Sequence, residues 1–332
     1  MGRLPIICLT PVKNEEWILE RFLQAASLWA DHIVVADQHS TDTSRAIASR
    51  FPKVRLVHNQ DVTYSEVSRQ QLLVNTARLI AQPSVLIALD ADEFLTANVL
   101  TSPEWQQAVG AAPGTVFEFT WANVLSDLTH YWAVPSRFLG FVDDGSEQKG
   151  GDIHNNRLPF PRGAPRMVFK DIFVLHYQYA DWARMQSKHR WYQCWERVRY
   201  PHKRALDIYR LYHHMDHIPR STIRQLPCEW RAAYYDRDID LGRFAAQPMY
   251  WWDREVLGMF ERYGTETFRK EAIWDCDWNN LARQVYGENA PRIDDPRRPT
   301  DKAMHTFLRT TQPLANTLPM QAFQKLFALI GW

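Results

Sequence analysis

The first hundred residues alternate short apolar runs with stretches in which apolar residues recur at helical spacing. Short apolar runs that end in polar residues predict buried strands, and alternation of strands with helices is typical of βαβ units with a parallel sheet. Helices are predicted after the first three strands, the first of them capped by Asn14 and the third covering 66–81. The predicted strands are 4–9, 33–36, 54–57 and 85–89.

The pattern changes after residue 97. Longer, partly alternating strands are predicted at 115–124 and 166–175, which is typical of an antiparallel addition. Between them, residues 140–165 are rich in Gly, Pro, Asp and Asn and predict a long loop of the kind that often covers a site. From Trp182 onward the pattern is mainly helical. We therefore predict two domains, 1–180 and 181–332.

Composition narrows the class of protein. The chain has 332 residues, and 39 Lys and Arg against 38 Asp and Glu give a net charge of +1, which does not favour a dedicated nucleic-acid binder. Its four cysteines are far apart without a C-x-x-C pair, as expected for reduced thiols in the cytoplasm. We predict neither a membrane-spanning helix nor a secretory signal, because the apolar runs are too short.

Three of the four strands end in polar residues that can do chemistry. These are Thr10, Asp37, and Asp90 with Asp92. In open parallel sheets, ligands bind beyond the carboxyl ends of the strands. Paired carboxylates there suit Mg²⁺ or Mn²⁺, with a diphosphate completing the coordination shell. The alternative for an isolated D-x-D is a solvated turn.

The motifs at these strand ends, in this order, are T-P-V-K-N-E-E at 10–16, D-Q-H-S-T-D at 37–42 and D-A-D-E at 90–93. They resemble the family-2 glycosyltransferases, which are nucleotide-sugar-dependent enzymes of GT-A fold. The resemblance covers roughly the first hundred residues. It implies an α/β fold class, GT-A (Rossmann-like), with a mixed, mainly parallel sheet flanked by helices and a helical C-terminal extension.

The resemblance also implies roles for single residues. Asp92 would bind the metal and act in catalysis, and His176, at the end of a later strand, would be a further ligand of Mn²⁺ or Mg²⁺. The alternative for His176 is an ordinary, partly buried imidazole. Gln38 and His39 stand where the family commonly has an acid and a glycine, so the nucleotide stays open. The implied nucleotide-binding residues are Thr10, Pro11, Glu15, Asp37, Arg69, Gln71 and Asp90.

Transfer with inversion needs a carboxylate that deprotonates the acceptor hydroxyl. We favour Asp152, because it lies in the Gly-rich loop 140–165. The alternative is that this acid is simply solvated, and no second acidic motif of the family's kind follows the metal motif. The other candidates are Asp143, Asp144, Glu147 and Asp171.

The stretch 182–224 contains ten Lys and Arg against three Asp and Glu, interleaved with aromatic residues. It is either the solvated face of a helical subdomain, a surface for phosphate-bearing acceptors, or a polyanion-binding surface. Residues 320–332 place apolar side chains on one helical face, for docking on a core or for peripheral membrane contact.

Together these features predict a cytoplasmic hexosyltransferase of cell-envelope polysaccharide synthesis, in contact with the inner face of the membrane if the terminal helix binds there. It would move a sugar from a nucleotide-diphosphate sugar to a glycan, lipid-linked or lipopolysaccharide hydroxyl, with no nucleic-acid partner. The alternatives are an inactive nucleotide-sugar-binding scaffold and a polyanion binder acting through 182–224. The oligomeric state stays open.

Overall fold

The computed structural model describes residues 3–61, 65–147, 156–244, 247, 249–327 and 332. The chain forms two compact units. The first is Met1–Ala180 with Ile223–Ala245, and the second is Asp181–Thr222 with Ala246–Trp332. The segment that begins at Ile223 thus lies in the first unit, although the sequence placed everything after residue 180 in the second domain.

The described residues form the following strands and helices. The strands are β1 (Ile6–Val12), β2 (His32–Asp37), β3 (Val54–His58), β4 (Val85–Ala88), β5 (Glu93–Leu95), β6 (Val116–Val124), β7 (His130–Val142), β8 (Arg166–Val168), β9 (Val174–His176) and β10 (Ile223–Gln225). The helices are α1 (Leu19–Trp29), α2 (Ser44–Ala48), α3 (Glu66–Arg78), α4 (Pro103–Ala108), α5 (Trp182–Arg199), α6 (Ala205–Tyr212), α7 (Glu229–Tyr235), α8 (Trp251–Tyr263), α9 (Trp278–Tyr286), α10 (Pro299–Thr311) and α11 (Leu318–Phe327).

One mixed sheet runs through the first unit in the order β3-β2-β1-β4-β7-β6-β9-β5. The four strands β3, β2, β1 and β4 are parallel. Strand β7 then pairs antiparallel with β4, and β6 pairs antiparallel with β7. Short strands complete the sheet, with β8 beside β6 and β10 beside β7. The α/β, Rossmann-like GT-A fold class predicted from the sequence is therefore confirmed.

Alternation along the strands divides the core into two layers. In β1, Ile6 and Cys8 belong to one hydrophobic cluster, and Ile7 and Leu9 belong to another. Successive side chains of a strand point to opposite faces, so each cluster lies on one face of the sheet. Helix α1 packs into the first cluster and α3 into the second. The sheet is thus covered by helices on both faces.

This placement of α1 and α3 identifies a crevice in the parallel half of the sheet. The chain leaves β1 over one face to reach β2, and it returns from β3 over the opposite face to reach β4. The connections therefore diverge between β1 and β4, which is the topological switch point where open α/β sheets bind ligands beyond the strand carboxyl ends. Candidate functional residues are expected at that edge.

The less regular elements differ from the prediction. The segment predicted as one strand at 166–175 forms two short strands, β8 and β9, on opposite sides of a break. Strand β7 was not predicted, and its last residues occupy the start of the expected loop 140–165. Its alternation is weak because many of its residues are exposed or half-buried, so periodicity gives little signal.

In the second unit, some cations of the basic stretch pair with buried acids of the same unit. Arg190 contacts Asp253 at 2.9 Å, and Arg197 contacts Glu271 at 2.7 Å. Lys203 pairs with the buried Glu196. Since these carboxylates are buried, the cations serve packing and pairing in the unit. The polyanion-binding interpretation of 182–224 gains no support from these residues.

The end of the chain behaves as a docking helix. On α11, the ring of Phe327 lies 5.1 Å from the ring of Phe307 on α10, and the Phe323 ring lies 5.9 Å from it. Among the described residues, no helix combines the length and apolar character needed to cross a bilayer.

Candidate functional site

The loops after β1 and β2 are tied together by reciprocal hydrogen bonds. The Ser40 hydroxyl accepts from the Asn14 N–H at 3.0 Å, and the Asn14 side-chain oxygen accepts from the Thr41 N–H at 2.7 Å. The Glu16 carboxylate accepts from the Thr43 N–H at 3.0 Å. The prediction that Asn14 caps the first helix is wrong, because α1 starts only at Leu19. Asn14 instead adopts φ 56°, which asparagine tolerates, and joins the two loops.

Three of the predicted nucleotide-binding residues lie at this joined edge. Asp37 ends β2 and is 2% exposed, and its carboxylate accepts from the Ser40 N–H at 3.2 Å and lies 3.5 Å from His58 Nδ1. Thr10, in β1, is fully buried, and its hydroxyl has no hydrogen-bond partner within the described part of the chain. Pro11 follows it, paired with Ala36 of β2.

Glu15 occupies a more structural position than the sequence predicted. Its carboxylate accepts from the Trp17 indole N–H at 2.6 Å, and its carbonyl accepts from the N–H groups of Ile18 and Leu19. These contacts start the turn that leads into α1. A nucleotide-binding role for Glu15 remains a prediction.

The acidic motif after β4 is held in place by an arginine that was not among the predicted site residues. The Arg157 guanidinium donates to the Asp90 carboxylate at 2.8 Å and to the Glu93 carboxylate at 2.9 Å. It also donates to the carbonyl of Ala88 at 3.3 Å, at the end of β4. Glu93 in turn accepts from the Asp90 N–H at 3.0 Å. Arg157 therefore fixes the loop that carries the D-x-D motif.

The electrostatics of this cluster follow from its burial. Glu93 is fully buried, and burial raises the pKa of its carboxyl to about 7, against the attraction of Arg157 and with the repulsion of Asp90 and Asp92. Burial also lowers the pKa of Arg157, but the two carboxylates outweigh this effect and raise it. Arg157 is therefore permanently charged, whereas Glu93 takes up a proton near neutral pH.

Asp92 differs from its two acidic neighbours. It is 4% exposed, yet among the described residues no group donates a hydrogen bond to its carboxylate. Its backbone carbonyl accepts from the Tyr177 N–H at 2.8 Å, which holds it against the end of β9. Asp92 is thus the acid of the motif whose charge no protein donor in the described chain offsets.

His176 ends β9, next to the residue whose backbone N–H contacts the Asp92 carbonyl. It is opposite Glu93 in the β5–β9 pair and is buried. Its Nδ1 lies 2.8 Å from the Asn123 side-chain oxygen, and the Asn123 amide nitrogen donates to the Trp132 carbonyl at 3.5 Å. Because this orientation makes the Asn123 oxygen an acceptor, the neutral imidazole carries its proton on Nδ1 and its lone pair on Nε2.

The donor set can be compared with the needs of a divalent cation. A carboxylate and an imidazole nitrogen fixed by a second hydrogen bond suit Mn²⁺, and a carboxylate suits Mg²⁺. Among the described residues, no group of three or more His, Cys, Asp and Glu is arranged to hold a metal ion. Asp92 and His176 offer ligand types that such a cation accepts, and their joint role as metal ligands remains a prediction.

On α3, the two predicted residues differ in exposure. Arg69 contacts Glu66 at 3.4 Å and is half-buried, but Gln71 is exposed. The neighbouring Gln70 is 3% exposed, and its side-chain oxygen has no hydrogen-bond partner among the described residues. Nucleotide-binding roles for Arg69 and Gln71 remain predictions. Asp152, the predicted base, lies outside the described residues.

The raised pKa of Glu93 predicts how stability depends on pH. The folded state holds a proton up to about pH 7, whereas the unfolded chain releases it near pH 4.5. The free energy of unfolding should therefore fall as the pH rises through this window, by at most about 3 kcal/mol. Urea unfolding at pH 5 to 8 should show a shallower fall in Glu93→Gln. Glu20→Gln, at an exposed acid of α1, should keep the wild-type slope, and an unchanged slope in Glu93→Gln would contradict the prediction.

No protein-family model matches the sequence, and the comparison with curated proteins gives no match. Among solved structures, the chain is similar to glucosyl-3-phosphoglycerate synthase from Mycobacterium tuberculosis in complex with Mn²⁺, UDP and glucosyl-3-phosphoglycerate. That likeness has 16% identity and a TM-score of 0.25, and covers 39% of this chain and 48% of the other.

It is also similar to 4-diphosphocytidyl-2C-methyl-D-erythritol synthase, with 18% identity and a TM-score of 0.28 over 37% of this chain and 64% of the other. The chain thus spans less than two thirds of both proteins. At these TM-scores the likenesses carry no argument about activity, which has to be sought in the geometry of the site.

Proposed function

We propose that the chain is a glycosyltransferase that moves a sugar from a nucleotide-diphosphate sugar to a hydroxyl of a glycan or lipid-linked acceptor. The observation that carries this proposal is the convergence of Thr10, Asp37 and the Asp90–Asp92 motif at the carboxyl edge of three adjacent parallel strands. That edge includes the topological switch point between β1 and β4, where such sheets bind their ligands.

The order of the strands matches the order of groups in a nucleotide sugar. Strand β1 lies between β2 and β4, so the ends of β2 and β4 are two strand spacings apart, about 10 Å. A nucleoside bound near Asp37 can therefore extend its ribose towards Asp90 and its diphosphate towards Asp92. In this arrangement the transferred sugar lies over the next strands, β7 and β6.

An unsatisfied polar group supports a polar ligand at this place. Buried side-chain oxygens are normally hydrogen-bonded, and an unmet one costs about 1–3 kcal/mol. The Thr10 hydroxyl is buried and lacks a partner among the described residues. A bound nucleotide would supply a donor or an acceptor for this group. Arg69, Gln71, Pro11 and Glu15 remain proposed contacts of the same ligand.

Asp92 and His176 would hold the divalent cation of the reaction. When bound, such a cation offsets negative charge on the departing diphosphate. The chain's own contribution is to leave the Asp92 carboxylate without competing donors among the described residues, and to hold the His176 ring by its Nδ1 against Asn123. Asp152 remains our proposal for the carboxylate that takes the proton of the acceptor hydroxyl.

A donor panel tests the proposal. Purified protein is incubated with UDP-, GDP- and dTDP-sugars and Mn²⁺, and melting temperature, release of nucleotide diphosphate and transfer to glycan acceptors are recorded. We expect one nucleotide to raise the melting temperature and its sugar to be turned over, because a ligand that binds only the folded state stabilises it. Binding without transfer or hydrolysis would favour the inactive scaffold, and the absence of any nucleotide binding would reject both.

A further inference from the structure

Among the residues that the structure describes, one arginine near the site has no anionic partner. Arg137, on β7, is half-buried, and its guanidinium carbon lies 3.9 Å from the centre of the Trp121 ring. Among the described residues, no carboxylate is within ion-pair distance of Arg137, and its side chain makes no hydrogen bond. The aromatic face holds the cation in place but does not neutralise its charge.

Other shielded arginines of the chain are treated differently. Arg78, Arg190 and Arg197 each contact a carboxylate at 2.7 to 2.9 Å. Removing a cation from water is costly unless an anion and hydrogen bonds compensate for the lost hydration. Burial and the neighbouring charge of Arg157 lower the pKa of Arg137, against the weaker attraction of Glu93. An anion from outside the chain would relieve both effects.

The position of Arg137 relates it to the proposed reaction. Strand β7 runs antiparallel to β4, with Ile87 opposite Gly140, so Arg137 lies past the carboxyl end of β4. The Trp121 ring also contacts the His176 ring, with 4.7 Å between the ring centres. Arg137 is therefore one aromatic ring away from a residue that we propose as a metal ligand.

Arg157 also approaches the Trp121 ring, at 5.8 Å, but it is already paired with Asp90 and Glu93. Of these two guanidinium groups beside the ring, Arg137 is the one whose donors find no partner in the described part of the chain. Strand β7 lies three strands from β2, about 14 Å, which puts Arg137 well beyond the proposed nucleoside and towards the sugars.

We infer that Arg137, held on Trp121, is an oxyanion subsite that binds a carboxylate or phosphate carried by a sugar substrate. The inference rests on the proposed function, and it narrows the substrate class to acidic sugars or sugar phosphates. A guanidinium offers two parallel N–H groups to such an anion, and the ring fixes the plane in which they lie. The anion belongs either to the acceptor or to the transferred sugar.

The test compares acidic and neutral ligands of the same shape. Calorimetric titrations use glucose 6-phosphate, glucuronate and glucose as acceptor-side probes, with and without the nucleotide diphosphate and Mn²⁺. A second arm compares glucuronate-linked and glucose-linked forms of the same nucleotide. We expect wild type to prefer the acidic form in one arm by about tenfold or more, and Arg137→Gln to abolish that preference. The arm that responds identifies the substrate that carries the anion.

Matched variants separate the subsite from a general effect of charge. Arg166→Gln removes another arginine that stands over aromatic rings of the same sheet, 5.2 Å from Phe138 and Phe160, and it should leave the preference unchanged. Arg137→Lys should retain part of the preference, because it keeps the charge but not the planar fork.

Several results would overturn the inference. The first is that wild type binds the acidic and the neutral ligands equally well, and the second is that it binds neither. The third is that Arg137→Gln keeps the preference for the acidic ligand. If Arg137→Gln weakens binding of the nucleotide diphosphate itself, Arg137 contacts the diphosphate, and the inference of a separate subsite is wrong. Acid-selective binding through Arg137 in a protein that binds no nucleotide would instead reject the proposed function and leave the subsite standing.

Discussion

Asp92→Asn is expected to reduce sugar transfer by about 10³-fold while leaving the fold intact. The substitution removes the negative charge that would hold the cation beside His176 but keeps the shape of the side chain. It breaks no hydrogen bond to the carboxylate within the described residues, and it removes repulsion on the buried Glu93. The free energy of unfolding should therefore stay within about 1 kcal/mol of wild type. Initial transfer rates and urea unfolding measure the two effects.

The control for Asp92→Asn is Asp236→Asn, at an exposed acid at the end of α7 in the same unit. It should change neither rate nor stability. An Asp92→Asn variant that turns over at the wild-type rate with the same metal dependence would remove Asp92 from the proposed mechanism. A variant that loses activity because it unfolds would instead assign Asp92 a structural role.

Arg157→Ala is expected to destabilise the folded state by about 3–5 kcal/mol, the cost of leaving buried charges without their partner. Asp90 and Glu93 both lose their cation, and the loop after β4 loses the donor to Ala88. Because Glu93 can take up a proton, the loss should be larger at pH 8 than at pH 5. Urea unfolding at the two pH values measures it.

Two further variants make the interpretation of Arg157→Ala specific. Arg162→Ala removes an exposed arginine five residues further along the chain and should change stability by less than about 0.5 kcal/mol. Arg157→Lys keeps one charge and should recover part of the loss. If Arg157→Ala unfolds at the wild-type urea concentration at both pH values, the account of the acidic cluster is wrong.

The parallel half of the fold could be predicted from the sequence because its signals are local. Each strand is a short apolar run, and Thr10, Asp37 and Asp90 are the first polar residues after three of the predicted runs. The rule that ligands bind at the carboxyl ends of parallel strands then gathers them at one edge without further information. His176 lies opposite Glu93, next in sequence to Asp92, and its predicted role as a metal ligand stays a prediction.

The arginines of the site could not be found in this way. Arg157 reaches Asp90 across 67 positions of sequence, and nothing in its neighbours marks it. Arg137 lies on β7. This strand was not predicted, because many of its residues are exposed or half-buried and show no clear alternation. Both depend on pairings between distant segments, and neither composition nor periodicity records such pairings.

One smaller error has a local cause. Asn14 precedes acids and a helical pattern, which predicts a cap, but its left-handed backbone and its hydrogen bond with Thr41 compete with the cap. On α3, the role of the exposed Gln71 stays a prediction, and its neighbour Gln70 is the buried residue. One step along a helix rotates a side chain by about 100°, so a shift of one position moves it to another face.

Metal-dependent binding of the nucleotide diphosphate tests the central claim most directly. Calorimetric titration of the nucleotide selected by the donor panel is carried out in Mn²⁺ and in EDTA, on wild type and on Asp92→Asn. The account predicts that Mn²⁺ tightens binding to wild type by about tenfold or more and that Asp92→Asn removes this gain. Equal affinity of wild type in Mn²⁺ and in EDTA would contradict it.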